Sequence, residues 1–240
     1  MPTVILVRHG RTAANAGGVL AGWTPGVHLD DKGREQVVGT AARLAVVPLA
    51  AVVTSPLERT RETADALIAG RDPLPSLHVD ERVGECRYGD WTNQPLKTLA
   101  KDPLWKVVQA HPSAATFPGA EGESLADMSA RAVAAVRDWN ARLTAETGGD
   151  PTYAVVSHGD VIKAIVADAF GMHLDSFQRI SVDPASVTVI RYTDLRPFVL
   201  RVNDNGGDLS SLVPPPTKGR RKRSATSSSS DAVVGGGAGA

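Results

Sequence analysis

Residues 5–12 read ILVRHGRT, a run of aliphatics that breaks abruptly into arginine, histidine and glycine. Val4, Ile5, Leu6 and Val7 form a continuous, mostly β-branched apolar stretch, the composition of a parallel strand covered on both faces. Arg8 and His9 stand where that strand runs out. In open α/β sheets, ligands bind in the crevice beyond the carboxyl ends of the strands, so a cationic pair delivered there suits an anion. Taken alone, RHG also reads as the solvated start of a loop.

A second stretch repeats the first. YAVVSHGD (153–160) is again an aliphatic strand followed by His158 and Gly159, with a helix expected from about Asp160. If the two strands are neighbours, His9 and His158 meet over one crevice with Arg8 beside them. Glycine after each histidine allows close approach of a ligand, and the helix that follows points its N-terminal amides at a bound anion. A third stretch, VTSPLERTRETADAL (53–67), leads from a short strand through Ser55-Pro56 into a helix carrying Arg59 and Arg61. The positive end of a helix disfavours arginine, so this pair calls for an anionic partner. Arg61 reads more simply as solvated, paired with Glu58 and Glu62.

Apolar runs at 3–8, 51–54, 153–157 and 186–192 read as strands, and amphipathic segments at about 31–47, 57–69, 123–147 and 160–171 read as helices. This alternation predicts an α/β fold: a three-layer α/β/α sandwich around a mostly parallel sheet. SVTVIRYT and RPFVLRVN, separated by a short turn, predict an antiparallel hairpin at one edge. Residues 84–120, with Trp, Pro, Gly and short helical patterns, predict an irregular insertion over one end of the sheet. From about residue 204 the chain is rich in Gly, Ser and Pro, with the basic run KGRRKR (218–223). The expected division is therefore one domain over 1–204 and a disordered tail over 205–240.

With 26 basic and 26 acidic residues, the chain carries no overall field to recruit nucleic acid or membrane, so any anion site must be local. At 42% hydrophobic and 22% charged, 240 residues suffice for one sizeable core. A single cysteine, Cys86, rules out an internal disulfide and a multi-cysteine metal site and fits a reducing compartment. No stretch approaches the length of a membrane span, and no basic leader with an apolar core precedes the first strand, so a cytoplasmic setting is expected.

Four stretches then carry a family resemblance: RHG-x-T-x-x-N (Arg8 to Asn15), SPLERTRETA (55–64), GECRYGDW (84–91) and SHGD (157–160). In this order they resemble the histidine phosphatase, or phosphoglycerate mutase-like, superfamily, particularly actinobacterial members described as phosphomutases. The resemblance runs from residue 2 to about 203 and implies the phosphoglycerate mutase-like fold. It implies His9 as nucleophile, Arg8, Arg59 and His158 around the phosphoryl group, Asn15 and Gly159 as further substrate-binding residues, and Glu85 as general acid and base. EGES (121–124) resembles a loop beside the pocket, and Asn93 departs from the glycine frequent after the tryptophan motif. Homodimers are frequent among such proteins.

The chemistry supports these roles independently. A phosphoryl group in transfer spreads negative charge over its equatorial oxygens, which two fixed guanidiniums stabilise. A neutral imidazole attacks phosphorus in line and splits one displacement into two. The expected activity is metal-independent hydrolysis of small phosphorylated metabolites through phosphohistidine, with no cofactor. A cofactor-dependent phosphoglycerate mutase-type reaction shares the same residues. Against it, Asp90 to Ala120 offers only Lys97, Lys101 and Lys106, with Arg87 available for one carboxylate. A zinc site built on the two histidines and Glu85 is disfavoured by the adjacent arginines. The remaining alternative is a non-catalytic phospholigand-binding module, or use of KGRRKR on nucleic acid; that run reads more simply as solvated tail. Trp105, Trp139, Phe170 and Met172 read as core or interface groups, whereas Trp23, Tyr88 and Trp91 are expected near the pocket mouth.

Overall fold

The computed structural model describes residues 1–207 together with Val234 and Gly235. In chain order its main elements are β1 (Thr3–Arg8), α1 (Ala13–Gly17), β2 (Val19–Leu20), α2 (Asp31–Leu44), β3 (Ala51–Thr54), α3 (Glu58–Ile68) and β4 (Ser76–Val79). There follow β5 (Gln94–Pro95), α4 (Leu96–Leu99), α5 (Pro103–Ala110), α6 (Leu125–Thr147), β6 (Thr152–Ser157), α7 (Gly159–Ala169), β7 (Val187–Tyr192) and β8 (Pro197–Asp204). Six strands form one sheet in the order β4-β3-β6-β1-β7-β8. The first four run parallel, while β7 and β8 are added antiparallel, as the hairpin sequence predicts.

The two His-Gly strands are indeed neighbours. β1 and β6 pair in register from Thr3↔Thr152 to Arg8↔Ser157, so both chains leave the sheet at the same level. Alternate residues of β1 serve opposite faces, the two-residue period of a strand. Val4 and Leu6 join Val155, Leu125, Met128 and Ile162 under α6 and α7. Ile5 and Val7 join Val52, Ala154, Val156, Leu44, Ala64 and Leu67 under α2 and α3. Being covered on both faces is what requires the unbroken aliphatic run, and it gives three layers.

Several expectations need adjusting. α2 stops at Leu44 rather than 47. β4 escaped the periodicity because it is an edge strand with Ser76, Leu77 and Val79 exposed. The 84–120 segment carries α4, α5 and the ribbon strand β5, which pairs with β2, yet it does not hang free. Trp91 is 3% exposed, stacked on Trp105 at 6.1 Å and edge-on to Phe117, so it belongs to the core and not to an open apolar mouth. Of the groups read as core or interface, Trp105 and Trp139 are buried in the core and Phe170 is exposed. Of the tail read as disordered, residues 205–207, Val234 and Gly235 are described, and Val234 is buried; 208–233 and 236–240 lie outside the described residues. No helix among the described residues is long and apolar enough to cross a membrane.

Candidate active site

β1, β3 and β6 deliver the site from the carboxyl end of the sheet. β1 ends at Arg8 and hands His9 to the crevice, β6 ends one residue before His158, and β3 leads through Ser55 into α3 and Arg59. The two imidazoles meet with ring centroids 5.2 Å apart and planes tilted by 60°. Gly10 is required by packing: a Cβ there would lie 2.6 Å from the Gly33 carbonyl oxygen and 2.7 Å from Val37, so no larger residue lets the strand end sit on α2.

Hydrogen bonds define the imidazole protonation pattern. His9 Nδ1 is 2.7 Å from the Gly10 carbonyl oxygen, an acceptor only, so Nδ1 carries the proton and Nε2 keeps its lone pair. His158 Nε2 lies 2.8 Å from Ser55 Oγ, while Arg59 Nη2 approaches its Nδ1 at 3.4 Å. Burial, then Arg59 and Arg8 for His9, and Arg59, His9 and Arg8 for His158, hold both histidines well below the usual imidazole range. Both rings are neutral at pH 7.

The guanidiniums are built in. Arg8 is fully buried and donates through Nη1 to the Val182 carbonyl at 2.8 Å. Arg59, 2% exposed, donates through Nη2 to the Gly22 carbonyl at 2.9 Å, while its Nη1 is buried without a hydrogen-bond partner. A buried, unsatisfied charged donor is costly unless a ligand completes it, and an anion would do so. Arg61 is exposed as expected, but Glu58 and Glu62 turn away from it: Glu58 accepts from the Gly26 amide and Glu62 from His28 and the Leu29 amide.

Glu85 faces the histidines from the loop after β4, its Oε2 3.7 Å from His158 Nδ1. Burial first, then the charge of Asp160, push its carboxyl up to about 7 against the opposing pull of Arg59, the Cys86 amide and Arg8. Tyr88 Oη lies 3.3 Å from Glu85 Oε1 and 3.0 Å from Asp160 Oδ2, so one hydroxyl links the two carboxylates. Lys163 Nζ reaches Asp160 Oδ1 at 3.4 Å. Behind the loop, Arg131 of α6 donates to the carbonyls of Arg82, Gly84 and Glu85 and is itself held by Glu123. Glu123 also accepts from the Arg87 amide at 2.8 Å, which gives EGES a buttressing place beside the pocket.

A cavity of about 30 Å³ remains at the centre. His9, Asn15, Arg59 and Glu85 line it, together with Thr12, Gly18 to Gly22, Leu96, Val234 and Gly235. Arg8 and His158 stand behind this lining, and Gly159, buried, is the first residue of α7 and is not among the described lining residues. Asn15 accepts from the Thr12 amide and hydroxyl through Oδ1, a capping box that opens α1 and leaves its amide nitrogen uncommitted in that contact. Arg87 stacks on Trp23 at 4.0 Å and lies 3.9 Å from Glu121, away from the cavity lining. The lysines at 97, 101 and 106 are exposed and absent from the lining. No cluster of three or more His, Cys, Asp or Glu among the described residues is arranged to hold a metal ion.

Sequence reasoning missed Ser55, Asp160, Tyr88 in its role beside Glu85, Arg131 and the Val234–Gly235 pair. An acid in the first turn of a helix reads as dipole compensation, which concealed Asp160.

Comparison with known proteins bears on the family and the fold. The family model "Histidine phosphatase superfamily (branch 1)" matches residues 4–205. A glucosyl-3-phosphoglycerate phosphatase of Mycolicibacterium vanbaalenii is 32% identical over 182 residues, 72% of this chain and 76% of that relative. A probable phosphoglycerate mutase GpmB of Cronobacter sakazakii is 29% identical over 217 residues, 88% of this chain and 95% of that one. Among solved structures, a mycobacterial glucosyl-3-phosphoglycerate phosphatase complexed with VO3 superposes with a TM-score of 0.74 at 27% identity, covering 85% of this chain and 100% of its own. Matched over residues 4–205 by that family model, the chain belongs to the histidine phosphatase superfamily, branch 1.

Proposed function

We propose that this enzyme is a metal-independent phosphoric monoester hydrolase that works through a phosphohistidine on His9. The observation that carries the reading is His9 itself. Its Nδ1 is committed to the Gly10 carbonyl and its ring is kept neutral by burial and two guanidiniums, which leaves Nε2 as a nucleophile beside the incompletely satisfied Arg59. Attack by Nε2 on phosphorus breaks the ester bond, with charge developing on the phosphoryl oxygens against Arg59 and Arg8. Glu85, about half protonated near pH 7, gives its proton to the departing alkoxide. The resulting carboxylate then accepts a proton from the water that cleaves the phosphoramidate, which returns His9 and releases phosphate.

Hydrolysis is favoured over mutase chemistry by the wall of the site. Arg59 is the sole lysine or arginine among the described lining residues, and the remainder of these is largely small or apolar. A bisphosphate retained between half-reactions needs several further cations, each charged contact contributing about 1.5–3 kcal/mol. The substrate class is a small phosphorylated metabolite with an uncharged leaving portion, in a cytoplasmic setting. The names of the relatives above, one a phosphatase and one a probable mutase, leave both reactions within the family.

The experiment supplies 3-phosphoglycerate with catalytic 2,3-bisphosphoglycerate, and in parallel a panel of phosphomonoesters, with and without EDTA. Phosphate release from monoesters is expected to exceed isomerisation by at least ~10²-fold and to survive the chelator. Rapid isomerisation with little free phosphate, or loss of activity restored by zinc, overturns the reading.

A further inference from the structure

Val234 and Gly235, two described residues of the tail, lie in the candidate active site. The Gly235 carbonyl accepts from Arg8 Nη2 at 3.3 Å, and the Gly235 amide donates to Asp160 Oδ2 at 2.9 Å. Both polar groups of that residue's backbone are thus satisfied by buried side chains that belong to the phosphate pocket and its surroundings. Val234 is 1% exposed and packs into the main apolar cluster with Leu20 and Tyr88.

Position 235 also selects glycine. Its φ of +76° lies in the left-handed region, and a Cβ would stand 2.9 Å from Leu20 Cδ1 and 3.4 Å from Tyr88 Oη. Neither Val234 nor Gly235 carries a charged side chain, so the pair enters a desolvated pocket without bringing a charge that needs a partner. With Val234 and Gly235 in the wall, only about 30 Å³ of cavity is left. That is room for a water, whereas pockets for small ligands run to roughly 300–1,000 Å³.

We propose that the mouth of the phosphate pocket is a binding site for the chain's own C-terminal peptide, which seats Val234–Gly235 and competes with substrate for Arg8. The inference rests on the phosphate-pocket reading given under Proposed function. The Gly235 carbonyl oxygen stands where a phosphoryl oxygen would accept from the same guanidinium. A dianionic phosphate is the stronger acceptor, so the peptide is a reversible competitor and not a permanent block. Its effect is to multiply apparent affinity by the fraction of open sites, without altering the chemical step.

The test compares the full chain with a chain ending at Gly207, using calorimetric titration of inorganic phosphate and steady-state hydrolysis of p-nitrophenyl phosphate. The shortened chain is expected to bind phosphate about tenfold more tightly and to show a similarly lower KM at unchanged kcat, as for a site closed about nine-tenths of the time. Gly235→Leu in the full chain should reproduce this with the same Tm as the shortened chain, which separates unseating of the peptide from loss of fold. A synthetic peptide of residues 231–240 should raise the KM of the shortened chain competitively. Equal phosphate affinity in the full and shortened chains overturns the proposal. So does a fall in kcat on truncation, which would make the segment a working part of the site. If neither chain binds phosphate, the phosphate-pocket reading fails, and this one falls with it.

Discussion

At the scale of single residues, the site is a set of charges whose burial decides their state. His9 is neutral because a cation would be desolvated between Arg59 and Arg8, and it is directed because Nδ1 has a carbonyl partner. His9→Ala should therefore remove turnover by at least about 10³-fold while leaving the circular dichroism spectrum intact. Arg59→Ala should cost at least about 10²-fold in kcat/KM, as for loss of one preorganised donor. Glu85 supplies the pH dependence. As a proton donor it is active below its value of about 7, so kcat for alkyl phosphates should fall as pH rises through 7. p-Nitrophenyl phosphate, whose leaving group hardly needs the proton, should show a much weaker limb. Asp160 is one of the groups that push Glu85 up, whereas Arg59 and Arg8 oppose it. Asp160→Asn should hence move the alkaline limb to lower pH by about one unit. A pH–rate profile on an alkyl phosphate that is unchanged by Asp160→Asn would remove Asp160 from this role.

At the scale of elements, the legible parts were those whose chemistry repeats. Two aliphatic runs each ending in His-Gly announced adjacent parallel strands, and the pairing of β1 with β6 follows that pattern residue for residue. Arg59 was legible because arginine opposes the dipole at a helix start. Contacts between distant elements were not legible. Arg131 lies in the second turn of α6, where an arginine reads as a solvated face, yet it ties down three carbonyls around Glu85. Trp91 sits inside a motif and so suggested a mouth, whereas stacking on Trp105 draws it into the core. Arg131→Ala should lower kcat on alkyl phosphates more than on p-nitrophenyl phosphate, because the loop it releases carries the proton donor. Its stability cost should be about 1.5–3 kcal/mol for the charged hydrogen bonds lost, read from urea denaturation. Equal kcat losses on both substrates would leave Arg131 with a purely structural part.

At the scale of the whole molecule, three layers exist to hold strand ends still. The central strands are covered on both faces, so the crevice is anchored in the best-packed region of the protein. Leu6 has no exposed surface, and Leu6→Ala should cost roughly 2–5 kcal/mol of stability by thermal or chemical denaturation. The tail was read from composition alone: one valine pair in a run of Gly and Ala gives no periodicity, so its seat in the pocket could not be inferred from sequence. The most direct measurement is rapid quench of the full chain turning over a ³²P-labelled phosphomonoester. A phosphoryl adduct that is alkali-stable, acid-labile, kinetically competent and absent from His9→Ala is the predicted result. An acid-stable adduct, or steady turnover by His9→Ala at more than a few per cent of the parent rate, would contradict phosphohistidine chemistry at His9.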